Sequence, residues 1–217
     1  LGARGPRPKA PRAQRLEPRA NVRVTAEFVT SASGAGDFPR DRLPEVAMVG
    51  RSNVGKSSLI NALVKRTVAR TSAAPGKTRL ANYYRVQPEA GRAFYLVDLP
   101  GYGYARGGDP AAEEFRRLAD SYFDREGARG ALLLVDARHP GLEADLAAWE
   151  WLQGQPLPKA VVATKVDKLT RAERTRHSRQ LDSLFAGPVS LVSAHTGEGL
   201  EELWKLIVKL PSPPTAA

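Results

Sequence analysis

A chain of 217 residues, 42% of them hydrophobic, suffices for one domain of about 150–200 residues plus tails. It has no cysteine, which excludes disulfides and thiolate metal sites and suits a reducing cytosol, and it has no apolar run near the ~20 residues of a membrane span and no signal-peptide core. The formal charge of +10 points to a polyanionic partner.

The first 20 residues mix Pro, Arg, Ala and Gly without periodicity and are expected to form a disordered basic tail; residues 1–23 hold seven basic side chains against Glu17 alone. Alternation from Val22 to Phe28 predicts an edge strand, followed by a flexible loop over Ser31 to Gly36. Val46 to Val49 reads as a buried strand. It runs into Gly50-Arg51-Ser52-Asn53-Val54-Gly55-Lys56-Ser57, and Ser58 then opens a helix. Strand, glycine loop and helix at this spacing form a phosphate-binding loop. Glycines let the backbone approach a phosphate, successive N–H groups point into one concavity at the positive end of a helix, Lys56 reaches the β- and γ-phosphates, and the Ser57 hydroxyl suits a magnesium ion. Thr67 to Leu80 reads as a long functional loop, rich in Lys and Arg and free of acids. Strands are expected at Asn82 to Val86 and Ala93 to Val97, a second mobile loop at Tyr102 to Gly108, and a helix at Ala111 to Asp124. Strand–helix units then repeat: Ala131 to Val135 with Leu142 to Leu152, Ala160 to Ala163 with Arg171 to Phe185, and Val189 to Val192 with Leu200 to Leu210. This alternation predicts an α/β fold with a mostly parallel central sheet, helices on both faces, and ligands at the carboxyl ends of the strands.

The remaining candidate residues stand at those strand ends. Asp98-Leu99-Pro100-Gly101 supplies a carboxylate for the magnesium shell and a glycine whose N–H can approach the γ-phosphate. In Gly76-Lys77-Thr78-Arg79-Leu80, Thr78 can close over the metal and γ-phosphate, so the metal set is Ser57, Thr78 and Asp98. Asp167, in Thr164-Lys165-Val166-Asp167, can accept from N1–H and N2–H₂ of guanine, which adenine does not offer. The Lys165 stem would lie on the base, and the N–H of Ala194 in Ser193-Ala194 would meet O6. Thr164 stands where many such sites carry Asn, so a hydroxyl ties that loop with fewer hydrogen bonds. The nucleotide is therefore GTP or GDP, and the architecture expected is a three-layer, Ras-like P-loop G domain over residues 21–210, with flexible ends at 1–20 and 211–217.

Five stretches resemble the EngB (YihA/YsxC-type) family of bacterial ribosome-biogenesis GTP-binding proteins: G-R-S-N-V-G-K-S-S-L-I-N from Gly50, P-G-K-T from Pro75, D-L-P-G-Y-G-Y-A from Asp98, V-D-A-R-H-P from Val135, and T-K-V-D from Thr164. The resemblance runs from Ala26 to Leu210, and its D-L-P-G-Y-G-Y-A octet is highly specific. It implies a cytoplasmic GTPase that helps assemble the large ribosomal subunit, with loss linked to defective division and septation; the expected partners are the large subunit or its precursor and rRNA, and the expected state is a monomer. A division-site protein using GTP as a structural switch is the competing reading; a metabolic P-loop kinase is disfavoured by the T-K-x-D and D-x-x-G pair.

Tyr102 occupies the position where Ras-type GTPases carry a water-orienting Gln, which predicts slow hydrolysis. The catalytic candidates are Lys56, Thr78, Gly101 and Asn53. In related GTPases an Asn at the Asn53 position ligates potassium; an Asn serving its own turn is the alternative. His139, His177 and His195 lack metal-ligand spacing, and Trp149, Trp151 and Trp204 lie on predicted helices where packing is the default.

Overall fold

The computed structural model describes residues 23–69, 80–102, 110–125 and 129–210. Among these residues seven strands form one sheet in the order β1-β3-β4-β2-β5-β6-β7. They are β1 (Val24–Ala32), β2 (Glu45–Gly50), β3 (Ala81–Pro88), β4 (Phe94–Asp98), β5 (Arg129–Asp136), β6 (Lys159–Thr164) and β7 (Ser190–Leu191). The five strands from β4 to β7 run parallel, while β3 and the edge strand β1 pair antiparallel. Among the described residues five α-helices cover the sheet: α1 (Lys56–Val64), α2 (Pro110–Phe123), α3 (Glu143–Gln153), α4 (Arg171–Leu184) and α5 (Leu200–Lys209).

The central strands are apolar throughout because both of their faces are covered. Along β5, Ala131, Leu133 and Val135 enter the core under α2, α3 and α4, while Leu132 and Leu134 enter the core under α1 and α5. β2 alternates in the same way, with Ala47 and Val49 opposite Val46 and Met48. The second core is closed by Trp204, whose indole N–H donates to the Leu63 carbonyl at 2.9 Å. Trp149 and Trp151 pack edge-on against Phe185 and Phe123, so all three tryptophans serve packing.

Element boundaries differ from the sequence pattern in three places. β1 extends to Ala32, and a short 3-10 turn at Ala35–Asp37 orders what reads as a flexible loop; the Asp37 carboxylate accepts from both the backbone N–H and the hydroxyl of Ser33. β7 is two residues rather than four: Val192 N–H still donates to the Ala163 carbonyl, but the N–H of Ser193 turns to the Glu198 carbonyl and leaves the ladder. Tyr102 is not part of a free loop: it bridges to Arg51 in parallel, and its carbonyl accepts from Ser52 N–H at 3.2 Å. The tails expected at 1–20 and 211–217, and most of the loops expected over 67–80 and 102–108, lie outside the described residues.

The connection that leaves β2 through α1 leads to β3 on one side of the sheet, whereas the one that leaves its neighbour β5 through α3 leads to β6 on the other. The crevice this leaves beyond the carboxyl end of β2 is the place where open α/β sheets hold ligands.

Candidate functional site

The loop leaving β2 is shaped by crowding. A Cβ on Gly50 would lie 2.8 Å from the Leu134 carbonyl oxygen and 2.9 Å from a Val54 methyl. Gly55 takes φ 113°, and Asn53 takes φ 62°, a left-handed conformation that Asn adopts more cheaply than most residues. Lys56 then starts α1. Among the described α-helices, α1 is the one with no acidic side chain in its first turn, and no side chain caps it. Its end is therefore an electropositive concavity suited to an anion.

Lys56 is buried, and its ammonium donates to the carbonyls of Gly50 at 3.1 Å and Arg51 at 3.3 Å. Burial lowers its pKa, and the nearby Asp98 carboxylate opposes that shift. Asp98 is 2% exposed at the end of β4. The Ser57 hydroxyl donates to Asp98 Oδ2 at 2.7 Å, while Oδ1 has no hydrogen-bond partner among the described residues. Burial raises the Asp98 pKa against the opposing effects of Lys56 and Ser57. A buried carboxylate oxygen beside a serine hydroxyl is a hard-oxygen environment that fits a magnesium ion.

Gly101 lies directly on the glycine loop. A Cβ there would stand 2.6 Å from Ser52 N and 2.7 Å from Ser52 Cα, both backbone atoms. The D-x-x-G glycine is thus required by contact between two backbones. The next residue, Tyr102, turns its phenol to α3, where it donates to Asp145 Oδ1 at 2.9 Å. Arg51 Nε donates to the same oxygen at 3.1 Å. Burial raises the pKa of the Tyr102 phenol, with the Asp145 charge reinforcing the shift.

The other end of the crevice is built from β6 and the turn after β7. Thr164 hydroxyl approaches the carbonyls of Val54 at 2.7 Å and Val135 at 3.1 Å, so a single proton serves two acceptors. Lys165, at φ 63°, donates to the Asn53 carbonyl at 2.7 Å and to Asp136 Oδ2 at 2.9 Å. Asp136 also receives Arg138 Nε and Nη2. Burial would raise its pKa, but the Arg138 and Lys165 hydrogen bonds outweigh that and hold it well below the usual range. Asp167 accepts from the Ser193 hydroxyl at 2.7 Å, which lowers its pKa. Ser193 oxygen in turn accepts from the N–H groups of His195 and Thr196, fixing the turn that carries Ala194.

Residues 45–165 match a family model described as a 50S ribosome-binding GTPase. The curated relatives include proteins named "Probable GTP-binding protein EngB". That of Symbiobacterium thermophilum is 45% identical, the match covering 85% of this chain and 94% of the relative. The Pelotomaculum thermopropionicum protein is 46% identical over 84% and 93%, and that of Geobacillus kaustophilus 41% over 84% and 95%. The chain belongs to the EngB family. Among solved structures it resembles Era in complex with MgGDPNP and nucleotides 1506-1542 of 16S ribosomal RNA, with a TM-score of 0.67 at 23% identity over 81% of this chain and 59% of that one. It also resembles the cytosolic domain of the T. maritima FeoB iron transporter in a GDP form, with a TM-score of 0.58 at 28% identity over 80% and 65%. The fold is that of a Ras-like P-loop GTPase domain, and the activity of this EngB-family chain is GTP binding and hydrolysis.

Within that frame the structure brings the glycine loop, Asp98, Gly101, Thr164, Lys165, Asp167, Ser193 and Ala194 to one edge of the sheet. Val54 and Leu99 turn their side chains into the core, and their N–H groups are spent on the carbonyls of Arg51 and Met48. Gly76, Lys77, Thr78 and Arg79 lie outside the described residues, and Leu80 enters β3 half-exposed. Three residues escaped assignment from the sequence. Asp136 and Arg138 were visible only as letters of V-D-A-R-H-P, and Asp145 had no signal beyond an acid in a helix's first turn. His177 Nδ1 lies 2.8 Å from the Ala137 carbonyl, a structural contact.

Proposed function

We propose that this GTPase is a slow, nucleotide-dependent switch in assembly of the large ribosomal subunit, acting in the cytoplasm and linked to normal division and septation. The observation that carries the switch is the contact of Gly101 with Ser52, which sets the D-x-x-G segment against the phosphate loop. In this reading Lys56 exchanges its two carbonyl acceptors for β- and γ-phosphate oxygens, and the α1 N-terminus faces the phosphates. Gly101 N–H meets the γ-phosphate and reports its loss. Ser57, Asp98 and Thr78 would hold a magnesium ion, which when bound supplies positive charge to the phosphates. Asp167 reads guanine, with its charge held by Ser193. Because Tyr102 is engaged by Asp145, it does not orient the attacking water, which accounts for slow turnover.

The ribosomal partner is supported by the description of the matched family and by the charge of +10. No helix among the described residues is long and apolar enough to cross a membrane. Asn53 presents its side chain at the surface of the loop, where it can ligate potassium; replacing sodium by potassium then accelerates turnover, and Asn53→Ala removes the difference. The deciding experiment is cosedimentation with large subunits across a salt series. Binding is expected to be tighter with a non-hydrolysable GTP analogue than with GDP and to weaken steeply with salt as phosphate counterions compete. Removing residues 1–20 flattens the salt slope but preserves the nucleotide preference. Equal binding in both nucleotide states breaks the switch, and no subunit binding at all favours the division-site reading.

A further inference from the structure

Asp145 is a buried acid that the nucleotide chemistry does not use. Its side chain is 1% exposed at the start of α3, well away from solvent. One oxygen, Oδ1, receives both the Tyr102 phenol and Arg51 Nε, while Oδ2 has no partner among the described residues. Burying a carboxylate in this way is costly unless the groups it holds need holding. Those groups belong to two chain segments that must keep a fixed relation. Arg51 is the second residue of the phosphate loop. Tyr102 directly follows Gly101, which lies against Ser52 with no room for a Cβ.

The backbone ties between the segments are few. Among the described residues they are the parallel Arg51–Tyr102 bridge, with its 3.2 Å bond from Ser52 N–H to the Tyr102 carbonyl, and the packing of Gly101. The side-chain tie through Asp145 reaches α3. α3 is anchored by Leu152, which is fully buried, and by the edge-on packing of Trp149 against Phe185 and of Trp151 against Phe123. Tyr102 also leans on Phe115 of α2, with ring centroids 6.2 Å apart.

We propose that Asp145 is a positioning residue for GTP hydrolysis: by holding Arg51 and Tyr102 through one carboxylate oxygen, it keeps Gly101 docked on the phosphate loop, where its N–H meets the γ-phosphate. This rests on the reading of Gly101 given above. It assigns Tyr102 a task in place of water orientation. The phenol is long enough to reach α3 and donates a hydrogen bond there, and a glutamine amide pointing at water would leave Asp145 with Arg51 alone.

The test uses the full chain with magnesium and three variants, Asp145→Ala, Asp145→Asn and Tyr102→Phe. Affinity for a non-hydrolysable GTP analogue and for GDP, kcat, KM and the thermal midpoint are measured for each. In Asp145→Ala and Tyr102→Phe the analogue-to-GDP affinity ratio is expected to fall about tenfold, as for loss of one hydrogen bond to a charged group. GDP affinity stays within about twofold, since GDP has no γ-phosphate for Gly101 to meet, and kcat falls with the ratio. Asp145→Asn keeps an acceptor oxygen in place and retains most of the ratio. Adding Tyr102→Phe to Asp145→Ala causes no further loss, because both remove the same tie. A ratio unchanged in both single variants overturns the proposal. So does a parallel fall of both affinities with the thermal midpoint, which marks a merely structural acid. If the unaltered protein holds the analogue and GDP equally, the Gly101 reading itself fails, and the clamp fails with it.

Discussion

At the end of the crevice that we propose holds the base, each carboxylate is answered by a donor. Asp167 has Ser193 and Lys168, and Asp136 has Arg138 and Lys165. At the phosphate end Asp98 keeps a buried oxygen without a partner among the described residues, and Lys56 spends its ammonium on the carbonyls of its own loop. The pKa directions follow this division. Asp136 and Asp167 are held low by their partners, whereas burial raises Asp98 and lowers Lys56. A site that must choose guanine gains from an acceptor whose charge and direction are fixed beforehand, since little is lost to reorganisation on binding. A site that must register a phosphate gains from groups that only an incoming charge can satisfy, because its stability is then coupled to the ligand.

The sharpest way to break this contrast is Gly101→Ala. The added Cβ would meet Ser52 backbone at 2.6 Å, with no flexible side chain to yield. Turnover of GTP is expected to fall about 10²-fold, as for loss of one preorganised donor at a reacting oxyanion. GDP affinity changes far less, which paired titrations and single-turnover assays can check. At the base end, Asp167→Asn is expected to weaken GTP binding by about 1.5–3 kcal/mol and to favour xanthine nucleotides, whose C2 oxygen accepts from the new amide. Retained GTP preference in that titration would remove the base assignment.

Ligand-linked stability separates the two ends further. Nucleotide with magnesium at 100 times its Kd stabilises the fold by about 2.7 kcal/mol. Asp98→Asn is expected to abolish the share of the thermal-midpoint gain that magnesium adds to nucleotide alone. Asp136→Asn acts on the free protein instead, costing about 1–2 kcal/mol at pH 7 through weakened bonds to Lys165 and Arg138. The sign with pH is set by the lowered pKa. Between the folded and unfolded values the unfolded chain binds more protons, so the contribution is complete above the ordinary aspartate value of 3.8 and lost as pH falls below it. Urea unfolding at pH 7 and pH 2.5 should therefore show the variant's deficit shrinking in acid. The smallest effect belongs to Thr164→Val, which keeps the shape but leaves the Val54 carbonyl without its side-chain donor. A loss of about 1 kcal/mol with unchanged guanine selectivity is expected.

Much of this architecture was written in local patterns. The apolar runs of β2, β4 and β5, the helical spacing of α2 to α5 and the glycine loop are each set by neighbours within a few residues, and so are legible from periodicity and turn chemistry. The places of Asp98, Gly101 and Asp167 at or just beyond the ends of strands were equally legible, because each is set by the strand pattern beside it. The tertiary structure decided which distant segments meet, and that depends on sheet order. Placing β4 beside β2 brings Gly101 onto Ser52 and converts a flexible-looking Tyr102 into a bridged residue. Placing β6 beside β5 joins Lys165 to Asp136, 29 residues away in sequence. Asp145 and Arg51, 94 residues apart, carry no mutual signal in the chain. An acid in a helix's first turn is ordinarily a solvated partner of the helix dipole, and only the packing of α3 against the loop shows that this one is buried and shared.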